Sequence, residues 1–187
     1  MRDAVPASRF KHPIILIGLM GCGKSTIGRE LSKLTGLPLL DTDLVIEEQL
    51  GKSIPDIFAE FGEARFRALE TALLRYLADR SSAPDKRNCI ISTGGGIVLK
   101  PENRTILRSL GFVVWLNVDV PALLARTARA NNRPLLHNAD RAATLTSLLL
   151  RRRPLYEATA HMRLNTTDTD IPTVTREIIH AAKLFYS

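Results

Sequence analysis

A chain of 187 residues that is 45% apolar and 24% charged is long enough to bury one substantial core, so a fibrous or disordered protein is excluded. Lys and Arg outnumber Asp and Glu by 26 to 19, yet the basic residues are scattered apart from Arg151-Arg152-Arg153, and aromatics are only 5%. A cleft that focuses its field on small anionic ligands explains that charge with fewer assumptions than a nucleic-acid groove, which would need stacking platforms.

No apolar run approaches the ~20 residues that span a bilayer, and the first thirteen residues lack the apolar core of a secretory signal. The two cysteines, Cys22 and Cys89, make neither a disulfide framework nor a zinc spacing. The expected setting is cytoplasmic, with no membrane or nucleic-acid partner. Residues 1–11 read as a flexible leader and 12–187 as one domain.

The apolar run Ile14-Ile15-Leu16-Ile17 reads as a buried strand, and it feeds Gly18-Leu19-Met20-Gly21-Cys22-Gly23-Lys24-Ser25-Thr26. This is the nine-position pattern of a phosphate-binding loop. Its glycines let successive N–H groups converge on phosphate oxygens, Lys24 reaches the β- and γ-phosphates, and Ser25 offers a hydroxyl to Mg²⁺. The helix that follows, with Ile27, Leu31 and Leu34 on one face and Gly36 as its stop, points its positive end at the same anion.

Leu37-Pro38-Leu39-Leu40 is a short strand ending at Asp41-Thr42-Asp43, the end at which open α/β sheets bind ligands. Asp43 could simply cap the helix Leu44 to Leu50, but capping would leave Asp41 unexplained. Ser53-Ile54-Pro55-Asp56 opens another helix, which Gly62 breaks, and a second runs from Glu63 to about Ala78 with Arg67 beside its apolar stripe. Arg67 is either a surface arginine or a ligand.

Cys89-Ile90-Ile91-Ser92 is the next buried strand. It ends in Thr93-Gly94-Gly95-Gly96, either a flexible turn or a place where a bulky group approaches the backbone. This strand lacks the metal-binding Asp of motor-type ATPases, which makes Asp41 the best-placed metal carboxylate. Pro101 to Leu110 is a helix, and Phe112 to Val118 is a fully apolar strand in which Trp115 is core. Pro121 opens a helix carrying Arg126.

Asn131 to Asn138 breaks the periodicity around Arg133, the composition of a lid. The helix from about Asp140 is expected to end at the three arginines, before Pro154, where cations offset its dipole. His161 to Asn165 is the last strand, and Pro172 to about Phe185 the closing helix. None of the four histidines has a metal-ligand spacing or nucleophile partner.

Alternating strands and helices argue a parallel sheet covered on both faces. Lys24, Mg²⁺ on Ser25 and Asp41, and Arg133 would neutralise a transferring phosphoryl group. Asp43 would orient or deprotonate an acceptor hydroxyl, and Arg67 with one of Arg151 to Arg153 would clamp an acceptor carboxylate. Residue type and spacing stop at a small-molecule kinase. A kinase acting on gluconate or a nucleoside monophosphate, and a nucleic-acid-binding P-loop protein, remain as rivals.

Over nearly its whole length the chain resembles the shikimate kinases. The resemblance rests on the loop with Ile27-Gly28-Arg29 after it, Asp41-Thr42-Asp43, Gly62-Glu63 with Phe66-Arg67, Gly94-Gly95-Gly96, Arg133-Pro134-Leu135-Leu136, and Arg152 in an Arg-x-Pro-Leu-Tyr pattern. It implies a three-layer α/β/α fold with a five-stranded parallel sheet in the order 2-3-1-4-5. A substrate subdomain at about 42–72 and a lid at about 127–140 would close on it.

It also implies ATP-dependent phosphorylation of the 3-hydroxyl of shikimate, a step toward aromatic amino acids, by a cytoplasmic monomer. Asp43, Arg67, Gly95 and Arg152 would bind shikimate. Gly21, Cys22, Gly23, Lys24, Ser25, Thr26, Arg133 and Thr169 would bind ATP, with Ser25 the Mg²⁺ ligand and Asp41 acting through water.

Overall fold

The computed structural model describes residues 10–81, 88–128 and 140–185. Five strands, β1 (Ile14–Ile17), β2 (Leu39–Asp41), β3 (Ile90–Ser92), β4 (Phe112–Asn117) and β5 (Met162–Asn165), form one sheet in the order β2-β3-β1-β4-β5. Every neighbouring pair is parallel, as expected. Register places Asp41 beside Ser92, and Ser92 beside Leu16, so the carboxyl ends of β2, β3 and β1 form one rim below the phosphate loop.

The three central strands, β3, β1 and β4, are buried on both faces, which is why they read as unbroken apolar runs rather than alternating ones, while the edge strands β2 and β5 are only partly buried. Ile14, Leu16, Val114 and Leu116 face the layer of α1 (Lys24–Thr35) and α7 (Ile171–Phe185), meeting Ile27, Leu31, Val174 and Ile178. Ile15, Ile17, Val113 and Trp115 face the opposite layer, where Leu74, Leu107 and Tyr156 pack. Phe10, within the span read as leader, is 1% exposed and belongs to the first of these clusters. Residues 1–9 lie outside the described residues.

α2 (Thr42–Leu50) and α3 (Ile54–Ser81) enclose a separate small cluster of Ile46, Ile57, Phe66 and Leu73. The two helices expected around Gly62 are the two halves of α3, kinked where Gly62 sits at φ 75, ψ 167. A side chain would be strained in that conformation, so glycine sets the angle at which the half carrying Arg67 returns over the sheet. α4 (Pro101–Leu110) and α5 (Val120–Thr127) lie close to their expected positions.

Two readings of helix ends are settled differently. The capping role left open as an alternative for Asp43 belongs to Asp41, whose side chain caps α2 by accepting from the Asp43 N–H at 3.1 Å. α6 (Arg141–Thr159) does not stop at the three arginines but runs through Pro154 for another turn and a half. Proline cannot donate to the Leu150 carbonyl, yet both residues lie on the exposed side, where water can satisfy that group. Beyond the proline, Tyr156 and Thr159 are fully buried, and their packing holds the helix together. The arginines therefore sit mid-helix, where side-chain direction rather than the helix dipole decides what each one does.

Candidate active site

Gly21 to Thr26, Asp41, Asp43, Arg67, Gly95, Arg152 and Thr169 all line one cavity of about 790 Å³ above the carboxyl ends of the strands. Arg133 and most of the span read as a lid lie outside the described residues.

At one end, Lys24 folds back into the loop. Its Nζ donates to the carbonyls of Gly18 at 2.8 Å and Leu19 at 3.1 Å, and lies 3.6 Å from Cys22 Sγ. Beside it, Asp41 Oδ2 accepts from Ser25 Oγ and from Ser92 Oγ, each at 3.0 Å. Asp41 thus caps α2 with one oxygen and gathers two hydroxyls with the other. Thr169 lines the cavity near Arg126, whose Nη2 donates to the carbonyls of Thr166 at 2.9 Å and Thr167 at 3.1 Å.

At the other end, α3 brings in an arginine between two acids. Arg67 Nη1 donates to Glu70 Oε2 at 2.7 Å, while Nη2 and Nε donate to Glu63 Oε1 at 2.8 and 3.1 Å. Arg67 is 8% exposed, which removes its reading as a solvated surface arginine. Burial opposes its charge, but Glu70 and Glu63 outweigh burial and hold it above its ordinary pKa.

From α6, Arg152 points inward at 5% exposure while Arg151 and Arg153 face solvent. Its Nη1 donates to the Gly95 carbonyl at 3.1 Å, and Tyr156 donates to the same oxygen at 2.6 Å.

Asp43 stands between the two ends. Burial, reinforced by the Asp41 charge, pushes its carboxyl up to about 6, against the pull of Lys24 and Arg67. Burial likewise pushes Glu70 up to about 7, with Arg67 opposing. Asp43 Oδ1 and Glu70 Oε1 are buried with no hydrogen-bond partner among the described residues. Such acceptors cost folding energy unless a ligand or water donates to them.

The triple glycine is shaped around these groups rather than flexible. A Cβ on Gly94 would stand 2.6 Å from Asp43 Oδ1 and 2.8 Å from Glu70 Oε1, and one on Gly96 would stand 2.4 Å from the Arg67 guanidinium. The Gly94 N–H is fixed by Thr42 Oγ1 at 3.1 Å.

Reading the sequence missed Glu70, Ser92, Thr42 and Tyr156. Glu70 carried a signal, three residues after Arg67, where helical spacing lets the two side chains meet, and Thr42 and Tyr156 stand within quoted motifs without having been given a role.

The arrangement pairs a phosphate cradle with a carboxylate poised near neutral pH and two buried guanidinium groups. It can bind a polyphosphate beside an acceptor that carries both a hydroxyl and an anionic group. The shikimate kinase family model matches residues 20–183. The chain belongs to the shikimate kinase family.

Among shikimate kinases, that of Xanthomonas euvesicatoria pv. vesicatoria is 44% identical over 166 residues, 89% of each chain. That of Halorhodospira halophila is 45% identical over 173 residues, 92% of this chain and 94% of the other. Shikimate kinase from Acinetobacter baumannii, solved in complex with shikimate, superposes with a TM-score of 0.84 at 37% identity, over 91% of this chain and 92% of that one. Membership in the shikimate kinase family agrees with the sheet order and with the position of the loop after β1.

Proposed function

We propose that this chain transfers the γ-phosphoryl group of ATP to the 3-hydroxyl of shikimate, giving ADP and shikimate 3-phosphate on the route to aromatic amino acids. The observation that carries this reading is the juxtaposition of Asp43 with Arg67 and Arg152 in the cavity that also holds the phosphate loop.

The backbone of Gly21 to Thr26 binds the phosphates, and Lys24 exchanges the Gly18 and Leu19 carbonyls for phosphate oxygens. Arg67 and Arg152 take the shikimate carboxylate, with Gly95 lining its ring. Asp43, with a pKa of about 6, is ionised at neutral pH yet basic enough to take the hydroxyl proton. As the new O–P bond forms, the bond from the γ-phosphorus to the bridging oxygen breaks and ADP leaves with its electrons. Arg133, from outside the described residues, and Thr169 complete the ATP contacts in this reading.

Ser25 and Asp41 fit a magnesium ion. Mg²⁺ takes few protein oxygens and keeps water and phosphate for the rest, and the hydroxyl and carboxylate here already converge at 3.0 Å. Among the described residues no cluster of three or more His, Cys, Asp or Glu could form a denser cage. When bound, the ion offsets the charge of the phosphate oxygens.

We further propose a cytoplasmic monomer without nucleic-acid partner, and gel filtration tests the oligomeric state. Among the described residues no helix is long and apolar enough to cross a membrane. A coupled ADP-release assay with ATP and either shikimate, gluconate or AMP tests the substrate. Turnover with shikimate alone is expected, and turnover with either other acceptor in its place overturns the proposal.

A further inference from the structure

The carbonyl of Gly95 receives two donors from one helix. Tyr156 Oη lies at 2.6 Å and Arg152 Nη1 at 3.1 Å, and the guanidinium also lies against the Tyr156 hydroxyl. The two residues are four apart on α6, so they share a face only because the helix continues through Pro154. Hydroxyl, guanidinium and carbonyl make a closed triangle at the edge of the cavity.

We infer that Tyr156 is a positioning residue for the acceptor's carboxylate: its hydroxyl fixes the Gly95 carbonyl as the rest on which Arg152 is aimed. This inference rests on the shikimate-binding role proposed for Arg152.

The Tyr156 ring cannot wander. It is 0% exposed and stacks on Trp115 with ring centroids 5.8 Å apart and planes 23° apart. Trp115 belongs to β4 and pairs in register with Ile17 of β1, the strand that feeds the phosphate loop. The hydroxyl is therefore held at a height set by the sheet itself. It passes that height to Gly95, and through Gly95 to one arm of Arg152, leaving the rest of the guanidinium fork for an anion. Burial raises the Tyr156 pKa far above its usual value, so the hydroxyl stays a donor throughout the working pH range. An arginine without this rest would have to be ordered by the substrate, and that ordering would weaken binding.

Tyr156→Phe tests this, because it keeps the ring and its stacking and removes only the oxygen. Steady-state kinetics should show the shikimate KM rising about 3- to 10-fold, as for one lost hydrogen bond, with kcat and the ATP KM within twofold of wild type. Calorimetric titration of shikimate should show the same loss without turnover. In an Arg152→Ala background the added effect of Tyr156→Phe should fall below twofold.

An unchanged shikimate KM overturns the inference. So does an equal penalty with or without Arg152, which would make Tyr156 a support of the fold alone. If the wild-type chain itself fails to phosphorylate shikimate, the proposed function falls instead, so the two failures are distinguishable.

Discussion

Arg67 and Glu70 are locked together, Nη1 to Oε2 at 2.7 Å, in a wall of the cavity where both side chains are buried. The pair is held by α3 alone, three residues apart, and Glu63 grips the other side of the same guanidinium. An arginine fixed on two sides is already ordered when the substrate arrives.

Glu70→Gln keeps the shape and one acceptor oxygen but removes the charge. The shikimate KM should rise by about 10-fold, the scale of a lost charge-assisted hydrogen bond, with the ATP KM unchanged. Steady-state kinetics at varied shikimate and saturating ATP check this, and a matching rise in the ATP KM would contradict it.

The same variant should change how stability depends on pH. An unfolded glutamate titrates near 4.5, whereas burial raises Glu70 to about 7 in the folded chain. Between those values the folded state holds a proton that the unfolded state has released, so stability falls as pH rises from about 4.5 to about 7. The wild-type thermal midpoint, followed from pH 5 to pH 8 without ligand, should drop more steeply than that of Glu70→Gln. Equal slopes would mean that Glu70 does not carry the proton.

Gly96→Ala should act through Arg67 rather than through the backbone. Gly96 has φ −101 and ψ 2, which alanine adopts, yet the added Cβ would stand 2.4 Å from the guanidinium. The chain should fold, with far-ultraviolet circular dichroism unchanged, and its shikimate affinity should fall at least 10-fold. Wild-type affinity would show that Arg67 can move aside at little cost.

Much of this site was legible because its chemistry needs unusual residues at fixed spacing. The loop to Thr26 and the strands before and beside it are local patterns whose structural cause lies within a few residues, whereas the glycines at 94 to 96 are visible as a pattern but owe their lack of side chains to Asp43, Glu70 and Arg67. What stayed hidden depends on contacts between distant segments. Nothing near Pro154 tells that Tyr156 will be buried against Trp115 and carry the helix onward, so residue type and spacing left Arg151 to Arg153 equivalent and only the family resemblance singled out Arg152. Asp41, not Asp43, takes the capping role because a cap accepts from the N–H groups of the first turn, and Asp43 already lies within that turn. Ser92 and Thr42 reach Asp41 and Gly94 only once β2 and β3 pair.

Asp41 has two duties, which one substitution can separate. Asparagine caps a helix about as well as aspartate, so Asp41→Asn should leave the thermal midpoint within a few degrees. It removes the charge that the proposed magnesium site needs, so the Mg²⁺ concentration for half-maximal turnover should rise by about 10-fold or more. Titrating MgCl₂ at fixed ATP checks this. An unchanged requirement would take Asp41 out of the metal site.

In the proposed reaction Asp43 serves the acceptor hydroxyl in the same cavity in which Lys24 serves the phosphates. The most direct measurement of this is the rate at which shikimate 3-phosphate appears, followed by ³¹P NMR, for wild type and Asp43→Asn under identical ATP and shikimate. Wild type should form one product per ADP. Asp43→Asn should be slower by about 10²- to 10⁴-fold while its nucleotide affinity stays within twofold. Near-wild-type product formation by Asp43→Asn, or collapse of its nucleotide binding, would contradict the account.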